Sequence, residues 1–128
     1  MARIVLIEPD RILAETYVRA LRTMGHSVTP CASAQAAIMA ADARRPDIVI
    51  VELQLVEHSG IEFLYEFRSY RDWQTIPVIV QTHVPPGEFA HSGELLKNEL
   101  GVRTYLYKPA TTLKKLLTAV DETMPAAV

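Results

Sequence analysis

The chain has 128 residues, 49% of them hydrophobic and 22% charged, with a formal net charge of -2 and a single cysteine. That length suits one domain, residues 1–128, around one substantial core, and the composition excludes a disordered chain. The charge balance lacks the clustered basic excess of a nucleic-acid binder, and the lone Cys31 excludes an internal disulfide.

Ile4 to Ile7 is an unbroken apolar run rich in β-branched residues, the pattern of a strand buried on both faces, and it closes on Glu8. From Arg11 to Met24, the residues Leu13, Tyr17, Ala20, Leu21 and Met24 recur at three- and four-residue steps. That spacing predicts a helix stopped by Gly25, with Asp10 placed either to cap it or to approach the end of the first strand. Ser27 to Cys31 reads as a second strand, and Ser33 as the cap of an alanine-rich helix from Ala34 to about Arg44 that Pro46 ends.

Asp47 to Leu53 reads as the third strand and carries Glu52 near its end; after a loop and Gly60, the residues Ile61, Phe63, Leu64 and Phe67 mark a helix. The connection from Ser69 to Thr75 holds Tyr70 and Trp73, which either anchor a partner or pack as a lid. Pro77 precedes the fourth strand, Val78 to Gln81, with Thr82 and His83 behind it. Pro85-Pro86-Gly87 breaks the chain, and Glu88 to Leu100 is expected to be a helix, displaced or shortened, that Gly101 stops. The fifth strand, Thr104 to Tyr107, closes on Lys108. The last helix follows Pro109, with Thr111 or Thr112 as cap and Leu113, Leu116, Leu117 and Val120 on one face.

Five βα units joined by short loops predict a flavodoxin-like (βα)5 three-layer sandwich around a five-stranded parallel sheet. Functional side chains in such sheets gather at the carboxyl ends of the strands, where Glu8, Glu52, Thr82 and Lys108 stand. The five glycines are isolated, so no phosphate-cradling loop is present, and His26, His58, His83 and His91 lack the spacing of a zinc site. No nucleophile, base and orienting group can be assembled, so an enzyme is not expected. No signal-peptide pattern or bilayer-length apolar stretch stands out, and a cytoplasmic location without membrane contact is expected.

Four segments carry a family resemblance: Ile4-Val5-Leu6-Ile7-Glu8-Pro9-Asp10, Asp47 to Leu53 with Gly60 beyond it, Pro77-Val78-Ile79-Val80-Gln81-Thr82, and Tyr105-Leu106-Tyr107-Lys108-Pro109. In this order the chain resembles the receiver domain of bacterial two-component response regulators along nearly its whole length. The resemblance implies an aspartate at the end of the third strand that takes a phosphoryl group from a histidine kinase, and an acidic pair after the first strand that holds magnesium. It further implies a hydroxyl at Thr82 and an ammonium at Lys108 against the phosphoryl oxygens, and an aromatic switch at Tyr105.

Two departures stand out against that pattern. The acceptor position is Glu52, and the second acidic position is Pro9, with Asp10 one residue later. An extra methylene displaces the carboxylate by about 1 Å, enough to be very costly to catalysis, and a lost oxygen ligand weakens a magnesium site. The expectation is therefore an atypical pseudo-receiver, a protein-interaction module in which Glu52 pairs with Lys108. No cofactor is expected; magnesium enters only under the alternative of a working phosphoacceptor, with Glu8, Asp10 and Glu52 as candidate ligands. The resemblance implies a signalling protein as partner, either a histidine kinase or an output protein. It also allows a second copy, docked through the face of the fourth helix, fifth strand and last helix. His83, in place of the usual small residue, either restricts the pocket or lies exposed, and Val56, in place of a common proline, is expected to loosen its loop.

Overall fold

A computed structural model describes residues 1–55, 59–89 and 95–124. The five apolar runs are strands β1 (Arg3–Ile7), β2 (Ser27–Cys31), β3 (Ile48–Val51), β4 (Val78–Thr82) and β5 (Val102–Tyr107), all parallel, in the order β2-β1-β3-β4-β5. The helices are α1 (Arg11–Thr23), α2 (Ala34–Ala43), α3 (Gly60–Ser69) and α4 (Leu113–Thr123). The expected flavodoxin-like sandwich is thus the observed fold, with strands that alternate between two apolar layers.

On one face, Val5, Ile7, Val49, Val51, Val78 and Val80 pack with Ala37, Ala41, Phe63 and Phe67 of α2 and α3. On the other, Ile4, Leu6, Ile48, Ile50 and Ile79 pack with Leu21, Leu116 and Val120 of α1 and α4. The helix starts follow from their caps: Asp10, Ser33, Ser59 and Thr112 each accept backbone N–H bonds in the first turn. Gly25, at φ 92°, makes the left-handed turn after α1.

The stretch from Glu88 to Leu100, expected as a displaced or shortened helix, shows no α-helical turn among its described residues. Its described parts are a 3-10 turn at Pro86–Phe89 and one π-helical turn at Leu95–Glu99. Pro85, Pro86 and Gly87 account only for the first of these, since a proline start suits a tight 3-10 turn and glycine does not propagate an α-helix. No helix among the described residues is long and apolar enough to cross a membrane.

Two side chains tie the frame together. Arg68, near the end of α3, donates from Nε to the Leu100 carbonyl at 2.9 Å, from Nη1 to Trp73 at 2.5 Å and from Nη2 to Ile76. One guanidinium thereby joins α3 to the segments that enter β4 and β5. Trp73 is buried, stacked on Phe67 at 5.0 Å and tilted at 51° against the half-exposed Tyr70 at 4.6 Å, so the aromatic connection is a packed lid with one exposed ring.

Candidate functional site at the carboxyl ends of the strands

The strand order reverses direction between β1 and β3, and the crevice of an open parallel sheet forms at such a point. Ile7 pairs with Val51, so the next residues, Glu8 and Glu52, leave the sheet side by side. Thr82 pairs with Tyr107, which brings Lys108 to the same rim. Gly60 lets the start of α3 approach this rim: its N–H donates to Leu53 at 2.8 Å, and a Cβ there would meet the Glu52 carbonyl oxygen at 2.6 Å.

The result is a buried ion triple. Lys108 Nζ donates to Glu8 Oε1 at 2.5 Å and to Glu52 Oε1 at 2.8 Å, with the three side chains at most 7% exposed. The remaining carboxylate oxygens take backbone donors: Glu8 Oε2 accepts from the Asp10 N–H at 3.1 Å, and Glu52 Oε2 from the Gln54 N–H at 3.2 Å. Burial pushes the Glu52 carboxyl up, but the hydrogen bonds from Lys108, Thr82 and Gln54 and the Lys108 charge outweigh it and hold it below its ordinary value. Burial likewise pulls the Lys108 ammonium down, and the bonds and charges of Glu52 and Glu8 overcome that, leaving it raised. Both shifts favour the charged forms, so the Glu52 carboxylate and the Lys108 ammonium face each other as an ion pair, with Glu8 Oε1 as the second acceptor of the ammonium.

Thr82 is fully buried; it donates to Glu52, and its Oγ1 accepts the Val84 N–H at 3.2 Å. The Tyr105 hydroxyl donates to the Val84 carbonyl at 2.7 Å, and burial, with Glu52 and Glu88 nearby, pushes this phenol up to about 12. A chain of contacts therefore runs from Glu52 through Thr82 and Val84 to Tyr105. The His83 side chain, 55% exposed, places Nδ1 3.9 Å from Glu52 Oε1, at the rim and within reach of the cluster.

Of the residues singled out in the sequence, Glu8, Glu52, Thr82 and Lys108 meet at one point, and Tyr105 reaches it through Val84. Asp10 does not bring its carboxylate to that point: Oδ1 accepts the Ile12 and Leu13 N–H groups at 3.0 and 3.1 Å, as the cap of α1. Val56, His58 and His91 lie outside the described residues. Sequence reasoning paired Lys108 with Glu52 and missed Glu8 as its second partner, although Glu8 and Glu52 both end strands adjacent in the sheet. It also passed over Gln81, which is buried with its Oε1 lacking a hydrogen-bond partner among the described residues.

Magnesium prefers near-octahedral oxygen coordination. The carboxylates here number two, both committed to Lys108, while Pro9 has no side-chain donor and Asp10 is engaged at the helix. No group of three His, Cys, Asp or Glu side chains able to hold a metal occurs among the described residues. The donor set does not fit the ion.

A family model described as the response regulator receiver domain matches residues 4–121. The KDP operon transcriptional regulatory protein KdpE of Escherichia coli is 28% identical over 109 residues, which cover 85% of this chain and 45% of that protein. The probable transcriptional regulatory protein TcrX of Mycobacterium tuberculosis is 32% identical over 79 residues, 62% of this chain and 33% of that protein. The chain thus spans less than half the length of these two relatives. Among solved structures, the chemotaxis response regulator CheY4 of Vibrio cholerae superposes with a TM-score of 0.84 at 20% identity, covering 97% of this chain and 99% of that one. The non-phosphorylated HemR receiver domain of Leptospira biflexa gives 0.82 at 22% identity, covering 100% and 98%.

Proposed function

The chain belongs to the response regulator receiver domain family, a module of signal transduction that works through other signalling proteins, and from that membership we propose that it is an atypical receiver. In this reading it is an interaction module rather than an enzyme, and its pocket is held by an internal ion triple in place of a phosphorylation cycle.

The observation that supports this is the occupation of Glu52. A phosphoacceptor carboxylate must present an oxygen to the incoming phosphorus, with a cation placed to neutralise the charge that develops. Here Oε1 is held by Lys108, Oε2 by Gln54, and Thr82 adds a further bond. The ammonium that would stabilise a phosphoryl group is instead shared between Glu52 and Glu8.

The same contacts favour an active-like arrangement set without a signal. Thr82 and Tyr105, the hydroxyl and aromatic switch positions, are joined through Val84, and Thr82 is bonded to Glu52. A carboxylate has about one negative charge against nearly two for a phosphoryl group, so the imitation is partial. Partners, a histidine kinase or an output protein, then meet the face of residues 95–99, β5 and α4; a second copy on that face is the alternative use.

Incubation with acetyl phosphate and magnesium, followed by intact mass measurement, tests the first claim. We expect no phosphoryl gain in the wild type; a gain at Glu52 or Asp10 would establish the alternative, a working phosphoacceptor. Amide exchange of residues 82–84 in Glu52→Ala tests the second claim. Faster exchange there supports the coupled arrangement, and unchanged exchange means that Glu52 only neutralises Lys108.

A further inference from the structure

Helix α2 has the sequence AQAAIMAADA, apolar around most of its circumference although it lies on the surface of the sandwich. Ala34, Ala37 and Ala41 face the sheet, whereas Met39 is 66% exposed and Ala43 is also exposed. A helix apolar on both sides is ordinarily covered on both. Beside it runs a groove of about 500 Å³ against α3, lined by Gln35, Ile38, Met39, Glu62, Phe63 and Glu66. Where α2 ends, a second hollow of about 420 Å³ opens by Asp42, Arg45, Tyr70, Arg71 and Trp73.

Charge is distributed unequally along this face. The exposed Glu62 and Glu66 rim the groove on the α3 side from the beginning of α2 to its middle. The far end carries the exposed Arg44, Arg45 and Arg71 against Asp42 and Asp72, and is net basic. Arg45 is partly held within the chain by the Asp72 carbonyl and the Thr75 hydroxyl, while Arg44 and Arg71 are exposed. With Met39 in the middle of α2, the face has an acidic side toward one end, an apolar centre and a basic other end.

A two-fold axis through the centre of such a face brings each acidic end against the basic end of the other copy, the condition for an isologous contact. We infer that the α2–α3 face binds a second copy of this chain, antiparallel, with Met39 packed against its counterpart. Methionine and arginine are enriched at protein interfaces, and methionine adapts to an imperfectly matched surface. The footprint is small, because ten-residue helices are about 15 Å long. The association is accordingly weak, with a dimer that appears between about 10 µM and 1 mM. It leaves the face of β5 and α4 open to a signalling partner and does not depend on the state of the Glu52 pocket.

Sedimentation equilibrium on the full chain over this concentration range is the test, with circular dichroism to verify folding of each variant. The acid-reversed variant Glu62→Arg with Glu66→Arg, and the base-reversed variant Arg44→Glu with Arg71→Glu, are each expected to stay monomeric, and their equimolar mixture to dimerise. Met39→Glu is expected to weaken association at least tenfold. A wild type monomeric throughout the range, or a mixture no more associated than its components, would overturn the inference. So would a dimer indifferent to these changes and disrupted by Arg103→Glu on β5.

Discussion

Lys108 determines the charge balance of the rim. Its removal leaves two carboxylates, Glu8 and Glu52, buried side by side without a counter-ion, and breaking a buried pair in this way costs about 3–5 kcal/mol. We therefore expect Lys108→Ala to lose about that much stability in urea unfolding at neutral pH. The pH dependence has a definite sign. Glu52 is lowered in the folded chain, so its contribution is present above the unfolded carboxyl value near 4.3 and disappears as acid drives the pH through the folded value. Lys108 is raised, so its contribution is complete below about 10.4 and is lost as alkali drives the pH through its folded value. The stability gap between wild type and Lys108→Ala should thus form a plateau between those limits and close on both sides. Gly60 acts at the same scale through shape alone: Gly60→Ala drives a methyl group into the Glu52 carbonyl and Leu53, and should cost about 1–3 kcal/mol in thermal unfolding while moving Glu52 off Lys108.

The elements owe their placement to a few polar side chains at their ends. Arg68 satisfies three backbone carbonyls, those of Trp73, Ile76 and Leu100, and its own burial, with Arg103 nearby, lowers its pKa. Arg68→Leu leaves these carbonyls without their donor, at about 1–3 kcal/mol for each that stays buried. Amide exchange is expected to rise at Ile76 to Val78 and at Leu100 to Val102 while β1 stays protected. The β2 edge is guarded by related means. Ser27 and Cys31 bond inward to β1, so Val28 and Pro30 face outward; Arg22 covers the Val28 carbonyl at 3.1 Å, and Pro30 has no N–H to offer. Arg22→Ala together with Pro30→Val should expose a pairing edge, seen as concentration-dependent aggregation by light scattering.

The whole molecule is two apolar layers that share one sheet, so neither layer can come apart alone. Trp73, the only tryptophan, sits in the α2–α3 layer, while Leu116 lies in the opposite layer. Leu116→Ala should lower stability by about 2–5 kcal/mol, and the Trp73 fluorescence midpoint should fall in step with the far-ultraviolet dichroism midpoint. Separate transitions would mean that the layers unfold independently.

The strands and the caps at Asp10, Ser33 and Thr112 were legible in the chain because they depend on near neighbours: β-branched runs, three- and four-residue apolar spacing, and a side-chain oxygen two or three residues before the N–H it accepts. The meeting of Glu8, Glu52, Thr82 and Lys108 was legible too, since parallel strands bring their ends to one rim. What residues 95–99 become was decided in three dimensions, because local pattern does not reveal how a segment entering β5 departs from an α-helical turn. Tertiary structure alone also assigned the second carboxylate to Lys108 and buried Gln81 with no hydrogen-bond partner for its Oε1 among the described residues. Each of these outcomes rests on where groups far apart in sequence come to lie, and packing of the elements settles that.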